Sequence, residues 1–238
     1  MESASLFFSI IVPAHNEERY IEDTLAHLVA LDYPKEKYEV LVIENGSSDR
    51  TYAKAKQFEK GNITVFMAHT KGVSGAKNFG IARMSAQADW VIFLDADTIL
   101  QKDFLKSIAM FLSGAASNGY AVGTVAMTPF PPTLTAKLWF AFYNLGRRIT
   151  RTSFALQIIR RGLLAHIRFD ERLAMGEDLK LIRDAEQHGQ FFYFLTSDVL
   201  TSTRRFEQQG WIKIFLYWTF VAMLPTNIQK RFTYKVVR

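Results

Sequence analysis

Asp95 and Asp97, with only Ala96 between them, close the apolar run Trp90-Val91-Ile92-Phe93-Leu94. That run is hydrophobic without alternation, the signature of a strand buried on both faces of a parallel sheet. In open α/β sheets ligands bind beyond the carboxyl ends of the strands. Two carboxylates placed there are hard oxygen donors suited to Mg²⁺ or Mn²⁺, ions that commonly complete their shells with substrate phosphates. The competing reading is a polar turn that caps the next helix. A second acidic pair, Glu177-Asp178, stands where Ala174-Met175-Gly176 gives way to the helical spacing Leu179, Ile182, Arg183, Glu186. A carboxylate at a helix start can accept a proton from a reacting hydroxyl. It is equally explained by capping and the helix dipole.

The elements that must position these groups follow one rhythm. Leu6–Val12 is a strand-like run that stops at Pro13, which cannot continue a central strand. Ile21, Thr24, Leu25, Leu28 and Leu31 keep helical spacing until Asp32-Tyr33-Pro34 breaks it. Tyr38–Ile43 is a second strand, and Ser48 or Asp49 could cap a helix running to about Lys60. Asn62–Ala68 is a third strand, and a loop at His69–Ser74 leads into a helix over Gly75–Gln87. The aspartate-ended strand is the fourth. Strand, polar loop and helix in repetition predict a doubly wound, mostly parallel sheet flanked by helices. No loop matches G-x-G-x-x-G or G-x-x-x-x-G-K-[ST], which disfavours a dinucleotide fold or a phosphate-loop ATPase.

The chain has 238 residues, 49% hydrophobic and 22% charged, enough for one large domain or two small ones with a sizeable core. Without cysteine there is neither a disulfide nor a thiolate-ligated zinc, which fits a reducing compartment. A net charge of +6 favours anionic partners. Met1–Ser9 lacks the basic segment and cleavage site of a signal peptide, so the chain is read as beginning with its first strand. A nucleic-acid partner is disfavoured, because the aspartates gather where polynucleotide phosphates would have to sit.

Six motifs stand in order: Val12-Pro13-Ala14-His15-Asn16-Glu17, Val42-Ile43-Glu44-Asn45-Gly46-Ser47-Ser48-Asp49, Gly75-Ala76-Lys77-Asn78-Phe79-Gly80, Phe93-Leu94-Asp95-Ala96-Asp97, Phe169-Asp170-Glu171-Arg172-Leu173 and Gly176-Glu177-Asp178. Over roughly residues 6–205 the chain resembles a family 2 glycosyltransferase with the Rossmann-like GT-A fold. The resemblance implies that Pro13, Ala14 and Glu17 line the nucleoside pocket. Glu44 and Asn45 stand where the family usually has two aspartates that hold base and ribose. Asn45 offers a donor as well as an acceptor, a departure that leaves the base open. Lys77 matches a basic position of the pocket, its plain alternative being a solvated helix lysine. Asp95 would lie near ribose and metal, and Asp97 would ligate the metal that bridges the diphosphate. Arg204 and Arg205 follow the acidic pair as basic residues do in many members, and arginine pairs well with phosphate oxygens. Asp178 is the candidate general base for a single inverting displacement.

The second half is less telling. Lys102–Leu112 reads as a helix, Tyr120–Met127 as a strand, Pro129-Phe130-Pro131-Pro132 as a rigid break and Phe191–Leu195 as a strand. Leu134–Leu145 is aromatic-rich, with Trp139, Phe140, Phe142 and Tyr143, and core is the simpler account of it. Residues 1–205 are therefore read as a glycosyltransferase domain, about 1–100 for the nucleotide and 101–205 for the acceptor. Residues 206–238 are read as an amphipathic basic C-terminal segment. Trp211–Leu224 has a single charge over 14 residues, short of a spanning helix. Lys230, Arg231, Lys235 and Arg238 follow it, a pattern that suits docking on an anionic membrane, with packing on the domain as the alternative. The Q-x-x-R-W motif of processive synthases is missing, which favours one sugar per encounter.

These readings converge on a UDP-sugar-dependent transferase acting on a hydroxyl-bearing acceptor, cytoplasmic or peripheral on the inner membrane face. A GDP-mannose-dependent transferase acting on a polyprenyl phosphate, and an inactive sugar-nucleotide binder, stay open beside it.

Overall fold

The computed structural model describes residues 6–115, 119–153, 155–173 and 175–223, with only the backbone at 115, 205, 215, 218, 219 and 221–223. The elements in chain order are β1 (Phe8–Ala14), α1 (Ile21–Val29), β2 (Tyr38–Asn45), α2 (Thr51–Lys56), β3 (Ile63–Ala68), α3 (Gly72–Ile81), β4 (Trp90–Leu94), β5 (Thr98–Leu100), α4 (Phe104–Ala115), β6 (Tyr120–Val125), β7 (Thr128–Phe130), α5 (Leu134–Thr150), β8 (Leu156–Arg160), α6 (Glu177–Glu186), β9 (Gln190–Phe194), β10 (Val199–Ser202), α7 (Arg204–Gln209) and α8 (Trp211–Met223).

The central sheet has the order β3-β2-β1-β4-β8-β6-β9, and within it only β8 runs against its neighbours. Alternate residues of each strand feed two cores. Ile10, Val12, Val40, Val42, Ile92, Leu94, Leu156 and Ile158 pack with α1 and α4 on one face. Ile11, Leu41, Ile43, Val91, Phe93 and Ile159 pack with α3 and α6 on the other. This is the two-residue period of a pleated strand buried on both sides. Gly80 of α3 makes the contact possible, since a Cβ there would lie 2.5 Å from Ile11 Cγ2.

The mostly parallel sheet is as expected, with several local differences. β1 does not stop before Pro13 but continues through Pro13↔Ile43 to Ala14. Its pairing with β4 has already ended at Ile11↔Phe93, so Pro13 has a strand on one side only, where a missing N–H is tolerated. Helix α2 ends at Lys56 rather than near Lys60, and α3 spans Gly72–Ile81 rather than Gly75–Gln87. Asn45 holds Thr70 and Gly72 and brings the start of α3 forward. Its end is displaced because Ser85 N–H donates to Glu39 Oε1 instead of continuing the helical ladder.

A second sheet, of order β5-β10-β7, has no counterpart in the sequence reading. Strands of three or four residues carry too few positions for a period to show. Pro129, read as a break, sits in β7 at the edge of this sheet, a position open to proline. The sheet pairs Thr201 of β10 with Thr98 of β5, and so lays the chain after Ser202 beside the Asp95–Asp97 turn. Phe206 of α7 and Ile214 of α8 are buried in the same core as α1 and β1. Among the described residues no helix is long and apolar enough to cross a membrane. Pro225, Lys230, Arg231, Lys235 and Arg238, on which the membrane expectation partly rested, lie outside the described residues.

Candidate active site

β1 is flanked by β2 and β4, and the chain reaches them by helices on opposite faces. The crevice between β1 and β4 at their carboxyl ends is thus the topological switch point, where α/β sheets place ligands. The loop after β1 and the Asp95–Asp97 turn after β4 both open into it.

That turn is firmly held. Asp95 N–H donates to the Ala155 carbonyl at 3.0 Å, and Thr98 N–H to the Asp95 carbonyl at 3.0 Å. Thr24 Oγ1 of α1 donates to the Ala96 carbonyl at 2.8 Å. The backbone is therefore fixed between the two aspartates, and their side chains face different partners. Asp97 Oδ2 lies 3.0 Å from Nη2 of Arg204. The same guanidinium nitrogen donates to both oxygens of Glu17 at 2.9 Å and its carbon lies 4.3 Å from the Tyr20 ring centroid. Burial works against the Arg204 charge, but its hydrogen bond to Glu17 and the charge of Asp97 outweigh that and raise its pKa. Glu17, Asp97 and Arg204 thus come together from β1, β4 and the end of β10. The register of the small sheet brings them there.

Asp95 belongs to a second cluster. Lys77 of α3 is 2% exposed, which removes the solvated-lysine alternative. Its Nζ donates to Asp178 Oδ1 at 2.7 Å and to Gln157 Oε1 at 3.3 Å, and lies 4.7 Å from the Phe169 ring centroid. Burial works against its charge, but Asp178, Glu177 and Asp95 together hold it protonated, with its pKa raised. One buried cation therefore serves three carboxylates. Asp178 does not cap α6: the residue before the helix is Gly176, in the left-handed region at φ +79°, and no side chain caps the end. Burial pushes the Asp178 carboxyl up, and Lys77 opposes that shift.

Beside it, burial and the Asp178 charge push Glu177 up to about 7. A carboxyl raised on folding is protonated in the native state at a pH where the unfolded chain has already released the proton. Stability therefore falls as pH rises from about 4.5 to about 7. The Glu177→Gln protein is expected to melt above the parent at pH 8, with the gap closing towards pH 5. Parallel melting curves across that range would show that the shift is absent.

The remaining predicted residues surround these clusters. Pro13 and Ala14 end β1. Glu44 is buried and turned back on its own loop, accepting from Ser47 N–H at 2.5 Å. Asn45 Oδ1 accepts from Thr70 N–H at 2.8 Å and from Thr70 Oγ1 at 3.0 Å, while Nδ2 donates to the Gly72 carbonyl at 3.0 Å. The amide thus ties the end of β2 to the start of α3, a donation that an aspartate could not make. Arg205's side chain lies outside the described residues.

Sequence reasoning missed Gln157, because β8 was not recognised, and Tyr20, which stands in no motif. Asn78 anchors the loop opposite α3. Its side chain donates to the Phe169 carbonyl at 2.9 Å and accepts from Phe169 N–H at 3.0 Å, fixing the ring that Lys77 faces. Among the described residues no three His, Asp or Glu side chains converge as a metal cage.

The profile of the family described as glycosyl transferase family 2 matches residues 9–163. The poly(ribitol-phosphate) beta-N-acetylglucosaminyltransferase TarS of Staphylococcus aureus is 30% identical over 184 residues, covering 72% of this chain and 31% of that protein. The probable glycosyltransferase YdaM of Bacillus subtilis is 29% identical over 207 residues, covering 77% of this chain and 48% of its own. The crystal structure of S. aureus TarS 1-349 in complex with UDP-GlcNAc matches with a TM-score of 0.68 at 26% identity, over 84% of this chain and 59% of that one. A mannosyltransferase from Pyrobaculum calidifontis, in complex with GDP-Man and Mn²⁺, shares the fold with a TM-score of 0.65 at 19% identity, over 93% of this chain and 66% of that one. The architecture is thus that of GT-A structures. The chain belongs to glycosyl transferase family 2. It spans 31% and 48% of the length of these two curated relatives.

Proposed function

We propose that the chain transfers a sugar from a nucleotide diphosphate donor to an acceptor hydroxyl by a single displacement that inverts the anomeric carbon. The observation that carries this reading is the placement of Lys77 between the acidic pair of α6 and the turn after β4, within electrostatic reach of Asp178, Glu177 and Asp95. Asp178, the candidate base, is held by Lys77 at 2.7 Å, which supports the reading. A UDP-sugar is the favoured donor, supported by the UDP-GlcNAc complex of the TarS structure to which this chain is similar.

Asp178 accepts the proton of the acceptor hydroxyl as that oxygen bonds to the anomeric carbon, and the bond from that carbon to the diphosphate breaks on the opposite side. Lys77 engages Oδ1 of Asp178 and favours its ionised form against the burial that raises its pKa. Pro13, Ala14, Glu17, Glu44 and Asn45 shape the nucleoside side of the crevice. Arg204 supplies positive charge to the diphosphate, with Arg205 as the second candidate.

Two carboxylates from one turn are hard oxygen donors of the kind a divalent cation takes, and Asp97 Oδ2, now 3.0 Å from Arg204 Nη2, would have to exchange that partner for the cation. Asp95 and Asp97 would hold Mn²⁺ or Mg²⁺. When bound, the cation neutralises charge developing on the leaving diphosphate without proton transfer. Calorimetric titration with UDP, GDP, CDP and dTDP, each with Mn²⁺ and with chelator, tests the reading. UDP is expected to bind in a metal-dependent way, and Asp97→Ala to abolish that dependence. GDP binding in place of UDP would move the donor to the guanine class. Failure of all four with folded protein would sink the donor assignment.

A further inference from the structure

Helix α5 is buried on one side and apolar on the opposite, exposed side. Ala136, Phe140 and Arg147 face the interior. Leu134, Leu138, Phe142, Leu145 and Ile149, at spacings of three and four, form a stripe on the other side and are 55–74% exposed. A helix flanked by water on one side is expected to be polar there. Helix α8 continues the pattern with exposed Ile212, Leu216 and Phe220. Trp139 joins the two helices, with its ring centroid 5.8 Å from that of Trp211 and 6.3 Å from that of Phe142. Exposed Lys137 and Arg148 border the α5 stripe on its other flank, and Lys213 is exposed on α8. Neither helix contains an acidic residue. None occurs between Asp103 and Asp170, or after Glu207.

We infer that α5 and α8 together form a docking surface for an anionic lipid bilayer, independent of the proposed chemistry. Exposed leucines and aromatics bordered by cations match an interface whose headgroups are negative and whose acyl region is apolar. The charge pattern decides against two other occupants. A second copy of the chain, seated face to face, would oppose lysines and arginines with no acid on either helix to neutralise them. Residues 224–238 are themselves acid-free and carry Lys230, Arg231, Lys235 and Arg238. Membrane docking, expected from the sequence for the C-terminal segment alone, is thereby enlarged, with α5 as the principal element.

Flotation of the full chain with vesicles of phosphatidylcholine, with and without phosphatidylglycerol, tests this. The chain is expected to float only with the anionic vesicles and to be released by high salt. Leu138→Glu/Leu145→Glu is expected to abolish flotation. Lys137→Gln and Arg148→Gln are each expected to weaken it about fivefold. The substituted leucines are solvent-facing, so an unchanged melting temperature and unchanged nucleotide binding serve as folding controls. Three results would overturn the inference. The parent chain fails to float; the double variant floats like the parent, which would assign docking to residues 224–238; or the parent is a dimer that the double variant dissociates, without vesicle binding.

Discussion

Asp178→Asn is expected to lower the turnover of nucleotide sugar by about 10²–10⁴-fold, the usual contribution of a positioned general base, while the affinity for nucleotide diphosphate is retained. The carboxyl group is buried on the α3/α6 side of the sheet, with Lys77 at 2.7 Å and Glu177 next to it in sequence. An amide of the same shape still accepts a hydrogen bond from Lys77 but cannot take a proton from a hydroxyl. The substitution also removes the carboxylate in contact with Lys77 and leaves only Glu177 and Asp95 to offset its charge, so the variant is less stable and has to be assayed well below its melting point. Retained binding of the diphosphate then shows that the fold is intact. A variant with full turnover would remove Asp178 from the role of base.

The second large effect is on stability. Lys77→Met removes one member of a buried ion pair and leaves Asp178 without its cation, a loss of about 3–5 kcal/mol. For a domain of this size that corresponds to a fall of roughly 6–20 °C in Tm. Gln157 Oε1 loses its donor in the same step. Because Lys77 opposes the upward shift of Asp178, its loss is also expected to move the acid limb of the kcat/KM profile to higher pH. Lys77→Met/Asp178→Leu should recover part of the lost stability, since replacing both partners by apolar groups avoids the lone buried charge. If Lys77→Met melts with the parent, the pair does not form in solution. Thermal scans of the three variants and the parent decide this.

Much of the nucleotide side was legible because its signals are local. β1 to β4 show apolar runs long enough to be read as strands, and each ends in a polar loop. The loops could then be assigned to one edge of a parallel sheet before any contact was known. Asp95-Ala96-Asp97 was visible for the same reason. The Gly75–Gly80 segment was visible as a motif, but the contacts it makes were not: Gly80 admits Ile11, Asn78 fixes Phe169 and Lys77 reaches Asp178.

Tertiary structure alone decided which charges meet. Lys77 and Asp178 are 101 residues apart and become partners because α3 and α6 cover the same face of the sheet. Arg204 meets Asp97 and Glu17 only through the small sheet, whose strands are too short for a periodic pattern. Gln157 entered the site through β8, the reversed strand of the central sheet, which the repeating strand-loop-helix rhythm does not anticipate. On α5 the sequence showed an aromatic-rich stretch and implied core, since composition reports that a segment is apolar and not what covers it. Sequence by itself determined the strands, the sheet's carboxyl edge and the acidic residues on it. Long-range packing determined how those acids are paired and which apolar face is left to a partner, because burial and charge compensation depend on neighbours distant in the chain.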